Sequence, residues 1–461
     1  MNTLEKTSNF KERWRNAAYL ETPMKSDYDV QANALRDKIL SLNDELPKSV
    51  NGTIWYISPS GKSSNSGKSP NDAWDSIATF NAHRDELKFG DAVLFERDGI
   101  YRGVFEASEG VYYGAYGKGD KPFICGSDRN YAEVNWINKG DNIWACEIPM
   151  LLDVGIIVFN LGEFMGWKRI EKSDLQQNGD FWCDSKENHT LYMYMDKNPA
   201  DAFQSIEIGL RRHIVTCKPI KNVTIENLCM RYTGCHGISL PCGCENITIR
   251  GCEIGFIGGS FQGGTVRFGN GIEVWNDGKN ILMEYNWVYQ IYDSGLTTQG
   301  GGKFIVQDVM MRKNLIEYCG MGSFEYFLSG NWKTTRGENI TFTENICRFA
   351  GYNWAGKQRP DKISKHIRSE VACENTIFNF KITNNIFDRG LIDLVGIGGT
   401  SYSNPEITQE TRPILSGNVY AQNKDGKLGT YFSEKDIPFD ENVEHFIKEV
   451  LGDRRAEISY Y

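Results

Sequence analysis

The middle of the chain alternates apolar and polar residues over short stretches, the period of a strand with one buried face, and these stretches repeat. Six can be laid over one another: Asn222-Val-Thr-Ile-Glu-Asn, Asn246-Ile-Thr-Ile-Arg-Gly, Asn280-Ile-Leu-Met-Glu-Tyr-Asn, Asp308-Val-Met-Met-Arg-Lys-Asn, Asn339-Ile-Thr-Phe-Thr-Glu-Asn and Asn379-Phe-Lys-Ile-Thr-Asn-Asn. They begin roughly 24 to 40 residues apart, one strand to each unit. Each ends at a turn whose equivalent positions are Leu228, Cys252, Asn286, Asn314, Asn345 and Asn385, and the last four can stack as an asparagine ladder. Helical periodicity is confined to the ends, over residues 3 to 47 and 440 to 452. One such coil cannot bury its own apolar face; stacked coils, with strands about 4.8 Å apart, bury a continuous core. The pattern therefore predicts an all-β parallel β-helix.

The repeat over 215 to 400 resembles that of the pectate-lyase-like right-handed parallel β-helix superfamily. So do Trp55-Tyr-Ile-Ser-Pro-Ser-Gly-Lys-Ser-Ser-Asn-Ser-Gly-Lys-Ser-Pro and Gly90-Asp-Ala-Val-Leu-Phe-Glu-Arg-Asp-Gly-Ile-Tyr-Arg-Gly. The resemblance implies that the first of these segments begins a right-handed solenoid and that a helix in Asp72-Ala-Trp-Asp-Ser-Ile-Ala-Thr-Phe caps its open end. It also implies work on saccharides, although fold alone does not fix a reaction. Residues 131 to 212 break the repeat with alternating strands and polar turns, as in Asp141-Asn-Ile-Trp-Ala-Cys-Glu, and read as an antiparallel β insertion. The expected organisation is a helical segment over 1–50, the capped start of the solenoid over 51–130, the insertion over 131–212, the site-bearing rungs over 213–425 and a helical tail over 426–461.

Composition narrows the function. The chain has 461 residues, 51 Lys and Arg against 60 Asp and Glu, a net charge of −9, with 47 Gly and only 13 Pro. No basic face is available to neutralise nucleic acid or anionic lipid, and no apolar run approaches the ~20 residues of a membrane helix. The expectation is a soluble protein without nucleic-acid or membrane partners. The N-terminus carries mixed charges and no signal-like apolar core, which predicts a cytoplasmic location. Most of the twelve cysteines read as buried thiols. Cys242-Gly-Cys244 beside Cys235 lacks a completing set of ligands, so neither metal nor cofactor is expected. The Asn-X-Thr matches at 222, 246 and 339 are by-products of the repeat, and the glycine runs at 263 and 300 lack the strand-to-helix context of a phosphate loop.

Side chains alternate between core and solvent along a strand, so residues at one register in successive rungs form an outward column. Eleven residues beyond the turns at 228, 286 and 314 lie Ser239, Thr297 and Glu325, and the re-entrant strand Asn270-Gly-Ile-Glu-Val-Trp adds Glu273. Glu273 and Glu325, two strands apart, have backbones about 9.6 Å from each other. Asp293 sits at the corner between them. Glycoside hydrolysis uses two carboxyl groups about 5–5.5 Å apart for retention or about 6.5–9.5 Å for inversion. Glu273, Asp293 and Glu325 are thus the candidate catalytic residues. His236, Arg267, Trp275, Gln299, Tyr326 (or Phe327), Arg368 and Glu370 are the candidate substrate ligands, since sugar sites combine aromatic faces with polar clamps. The loops Gly255 to Gly269 and Asn353 to Lys362 are candidate walls.

These observations favour a glycoside hydrolase acting on short oligosaccharides, with homo-oligomers possible. A polysaccharide lyase or uronate epimerase, using Lys303 or Lys313 as base, is the alternative enzyme. A non-catalytic carbohydrate-binding β-helix is the alternative outside enzymes.

Overall fold

The repeated stretches are strands that pair in parallel, each on the next: Val223 with Ile247, Ile247 with Ile281, Ile281 with Val309 and Val309 with Ile340. In the computed structural model, which describes residues 26–329, 335–371, 377–398, 413–432 and 434–461, every full turn lays one strand on each of three sheets. A typical turn runs Gly278–Glu284 on the first sheet, Trp287–Ile291 on the second and Ser294–Gly301 on the third. The three sheets hold eleven, ten and ten described strands. The fold is a parallel β-helix. Inward residues such as Ile225, Ile249, Met283, Met311 and Phe342 form one core along the axis.

The head of each repeat turns through the left-handed region, where Asn and Asp are tolerated: φ is 60° at Asn222, 57° at Asn246, 53° at Asn280, 56° at Asp308, 53° at Asn339 and 50° at Asn379. Their side chains join along the surface, Asn246 Nδ2 donating to Asn222 Oδ1 at 3.0 Å and Asn280 to Asn246 at 2.7 Å. At the next corner the buried ladder forms. Asn286 donates to Asn314 at 3.0 Å, Asn314 to Asn345 at 2.9 Å, and Asn345 to Asn385 at 3.0 Å. It extends beyond the sequence expectation through Asn418, and Asp453 closes it by accepting from Asn418 at 2.8 Å. Every amide thereby satisfies backbone that a coil corner would otherwise leave unpaired.

Both ends of the core are covered. The helix Ile77–His83, capped by Ser76, buries Ile77 and Phe80 at the start. At the other end the tail departs from its expected helical form. Lys427–Tyr431 joins the third sheet and Glu457–Tyr460 the second, with helical turns over Val443–His445 and Phe446–Val450. The reason is burial: Leu428 and Tyr431 complete a last rung, while Phe439, Val443 and Ile447 seal the core behind it. Near the N-terminus, the helix Asp27–Leu40 lies outside the second sheet, Asp29 accepting from Arg348 at 2.7 Å and Arg389 at 2.9 Å. Residues 1–25 of the expected helical segment lie outside the described residues. No helix among the described residues is long and apolar enough to cross a membrane.

Among the described residues, three excursions leave the solenoid between a second-sheet strand and the following third-sheet strand. The insertion between Phe123–Cys125 and Val215–Thr216 has its own core around Trp136, Phe181, Leu191 and Met193. Its pairings are antiparallel except between Trp167–Lys168 and Asp180–Asp184. The hairpin Ser260–Gly263 with Val266–Phe268 and the segment holding the helix Trp354–Gln358 leave from the same edge. The three lock together: Gln358 donates to the Gly166 carbonyl at 2.8 Å, and Phe261 N–H donates to Asp153 at 2.7 Å. All therefore crowd one margin of the third sheet.

Candidate active site

The column deduced from the sequence exists on the third sheet. Ser239 pairs with Glu273, Glu273 with Thr297, Thr297 with Glu325, and Glu325 with Arg368. Thr216 and Glu106 continue it toward the N-terminal end. Parallel pairing without slippage puts all of these on one face, because a shift of one residue would turn each of them into the core.

Each carboxylate has its own donors. His236 Nε2 donates to Glu273 Oε2 at 2.9 Å, and the Ser239 hydroxyl lies 3.4 Å from the same oxygen. The imidazole can donate only there, since its Nδ1 accepts the Asn270 N–H at 2.9 Å. Burial, the largest influence on Glu273, would raise its pKa; the neighbouring His236, His213 and Ser239 outweigh it and hold the carboxyl below the ordinary carboxylate range. Glu325 accepts from Gln299 at 2.7 Å and Ser294 at 3.1 Å on one oxygen and from Arg368 at 2.5 Å on the other. Asn270 joins the two groups, its side chain 3.4 Å from Gln299 Oε1 and accepting the Ser294 N–H at 3.1 Å. Glu273 and Glu325 are thus opposite ends of one network with Thr297 between them.

Other expected residues fall elsewhere. Asp293 does lie at the corner, but it is bound by Arg359 and by the Gly269 N–H at 2.8 Å, while Arg359 also clasps Asp361 at 2.6 Å. This ion pair fastens the Asn353 to Lys362 loop to the solenoid. Arg267, half-buried, donates to the carbonyls of Gly259 at 2.7 Å and Gly155 at 3.4 Å and stands over the Tyr292 ring, tying the hairpin to the insertion. Tyr326 corrects a register assignment: it occupies the inward row with Val274 and Thr298 and packs its ring against Phe380 at 4.6 Å in the core. Trp275, half-buried, and Gln299 share the second outward row, whose next register position is Phe327. The side chains of Phe327 and Glu370 lie outside those described. Lys313 sits between first- and second-sheet strands beside Glu344 and Tyr285, away from the column.

Sequence reasoning missed His213. It stacks on His236 with ring centroids 4.9 Å apart and planes 5° from parallel, and its Nδ1 accepts the His236 N–H at 3.2 Å. Burial first, then the adjoining imidazole, lowers its pKa to about 4, so it is neutral near pH 7. Its position two residues before the strand Val215–Thr216, matching His236 before Ile238–Pro241, is the signal that could have identified it. His213 lines a cleft of about 530 Å³ with Arg84, Glu106, Arg211, Arg212 and Phe268. The described cysteines are free thiols, mostly buried. Among the described residues no group of three or more His, Cys, Asp or Glu side chains is arranged to hold a metal.

No protein-family model matches the chain, and no curated protein matches it. Among solved structures it is similar to XylC in complex with xylose, at 13% identity and TM-score 0.44 over 89% of this chain and 82% of that one. A GH136 lacto-N-biosidase from Eubacterium ramulus shares 12% identity at TM-score 0.40 over 93% of this chain and 70% of its own. The pectate lyase Pel9A shares 12% at 0.42 over 84% and 74%. Likeness at this level decides nothing about the reaction, which rests on the side chains.

Proposed function

We propose that the third-sheet column is the active site of a glycoside hydrolase acting on short saccharides. The observation that carries this reading is the pair Glu273 and Glu325, in register, one strand apart from contact and held by different partners. Their backbones stand about 9.6 Å apart, two strand spacings, which lets the two carboxyl groups flank one glycosidic bond.

The surroundings assign the roles. Glu273, kept ionised by His236, suits the base that takes a proton from the attacking water. Glu325 is the acid. It donates to the leaving glycosidic oxygen after taking up a proton, which it can hold once a bound sugar draws Arg368 away from its Oε1. Water adds to the anomeric carbon as the bond to the leaving oxygen breaks: Glu273 takes one proton from the water, Glu325 gives one to the leaving oxygen, and proton exchange with solvent resets both carboxyls. Trp275 and Gln299 in the adjoining row offer a face and an amide for sugar rings.

The test is incubation of the purified chain with a panel of neutral and acidic oligosaccharides, following reducing ends and ultraviolet absorbance together. New reducing ends without absorbance are expected. Absorbance from an unsaturated product would replace hydrolysis with elimination.

A further inference from the structure

A cleft lined by three arginines and His213 adjoins, through Phe268, the His236 ring that holds Glu273. It lies over Glu106 and Thr216, which occupy the column positions leading to Ser239, so it continues the row that carries the two carboxylates. Three arginines line it, and two are committed: Arg84 lies 3.5 Å from Glu106, and Arg212 pairs with Asp128 and donates to the Gly126 carbonyl at 2.7 Å. Arg211 is exposed, donates to the Gln262 carbonyl at 3.4 Å and has no carboxylate partner among the described residues; it stands over the Phe268 ring, 5.9 Å from its centroid. Phe268 in turn meets His236 edge to face at 5.2 Å, so the aromatic wall of the cleft abuts the ring that holds Glu273.

His213 completes the wall in a fixed protonation state. Its Nδ1 is occupied as an acceptor, so the single ring proton of the neutral imidazole is on Nε2, opposite the bond to the backbone. No described residue takes that proton. An N–H without a described acceptor, on a residue that lines the cleft alongside a cation and an aromatic face, is the arrangement that pockets for small polar molecules share, and 530 Å³ is within their usual size.

We infer that this cleft is a saccharide-binding subsite in which His213 Nε2–H and Arg211 donate to ring oxygens and Phe268 supplies the stacking face. The inference rests on the hydrolase reading for its place beside Glu273, and it names the part of the substrate that enters there: a sugar ring presenting oxygen acceptors toward the N-terminal rungs. His213 is then a binding residue whose stacking also steadies His236.

Titration calorimetry on the full chain with D-glucose, N-acetyl-D-glucosamine and D-glucuronate tests it. At least one should saturate the wild type. His213→Asn keeps an acceptor for the His236 N–H but loses the Nε2–H, and should weaken that sugar about fivefold, the loss of one neutral hydrogen bond. His213→Gln, which restores an N–H near Nε2, should recover most of it. Arg211→Gln, on an exposed residue, should also weaken binding and serves if His213→Asn melts early. Failure of all three sugars to saturate, or wild-type affinity in both His213→Asn and Arg211→Gln, would overturn the subsite. Saturable binding by the wild type with no turnover on any saccharide would refute the hydrolase reading and leave the subsite standing.

Discussion

Replacing His236 by Leu isolates what holds Glu273 in its charged form. Glu273 is only 8% exposed, and burial alone raises a carboxyl pKa. The 2.9 Å bond from His236 is the shorter of its two described hydrogen bonds, the other being 3.4 Å from Ser239. A hydrogen bond to a charged group is worth about 1.5–3 kcal/mol, and 1.36 kcal/mol corresponds to one pKa unit. Losing it should raise the Glu273 pKa by about 1–2 units. Glu273 acts as a base, so the ascending acid-side limb of kcat/KM against pH should move up by that amount. His236→Gln keeps an N–H at the position of Nε2 and should return the limb most of the way. The comparison is made on folded protein, since His236→Leu also strands the Asn270 N–H. An unmoved limb in His236→Leu, with turnover measurable, would refute the reasoning that Glu273 is the base and that His236 sets its charge.

Other consequences concern the scaffold and the site margins. Asn345→Ala deletes four bonds, two accepted from Asn314 and two donated to Met311 and Asn385; leaving these buried partners unmatched should cost about 3–5 kcal/mol, read as a lower urea midpoint, and an unchanged midpoint would contradict the ladder. His366 is fully buried between the Ser323 hydroxyl at 2.9 Å and the Asp388 carbonyl at 3.1 Å, and burial lowers its pKa to about 3. The unfolded chain takes up this proton below about pH 6.5 and the folded one does not. Stability should therefore fall between about pH 6.5 and 3, by on the order of 4 kcal/mol for this one site, and His366→Gln should flatten the dependence of the urea midpoint on pH in that window. Tyr326→Phe should leave kcat/KM unchanged because the ring is in the core, whereas Trp275→Ala should raise KM about 2- to 10-fold if its face meets sugar; the reverse pattern would place the inward and outward rows wrongly.

The solenoid and the column were legible for one reason: both depend on register, and register repeats. A period of two within each strand and a recurring corner, Asn in the last four repeats, fixed which residues stack, so Glu273, Thr297 and Glu325 could be aligned by counting. Counting failed at one alternation within a strand and wherever the chain leaves the repeat. Tyr326 is one residue from Glu325, and alternation sends it inward. The Asp293 to Arg359 pair joins residues 66 apart through a loop whose path no periodicity records. His213 lies at the end of the insertion, where the repeat has only just resumed. The tail read as helix because its apolar spacing over 440 to 452 is helical, while the strands flanking it are single rungs with no partner motif to align.

The central claim is that Glu273 and Glu325 act together in one reaction. Its most direct test is the turnover of Glu273→Gln and Glu325→Gln beside Asp293→Asn, on whichever oligosaccharide the wild type cleaves, with folding checked by thermal melting. The account predicts that each glutamate variant keeps the fold and loses turnover by about 100-fold or more, and that Asp293→Asn, altered in an ion pair, keeps chemistry and loses stability. Full turnover in either glutamate variant would contradict it.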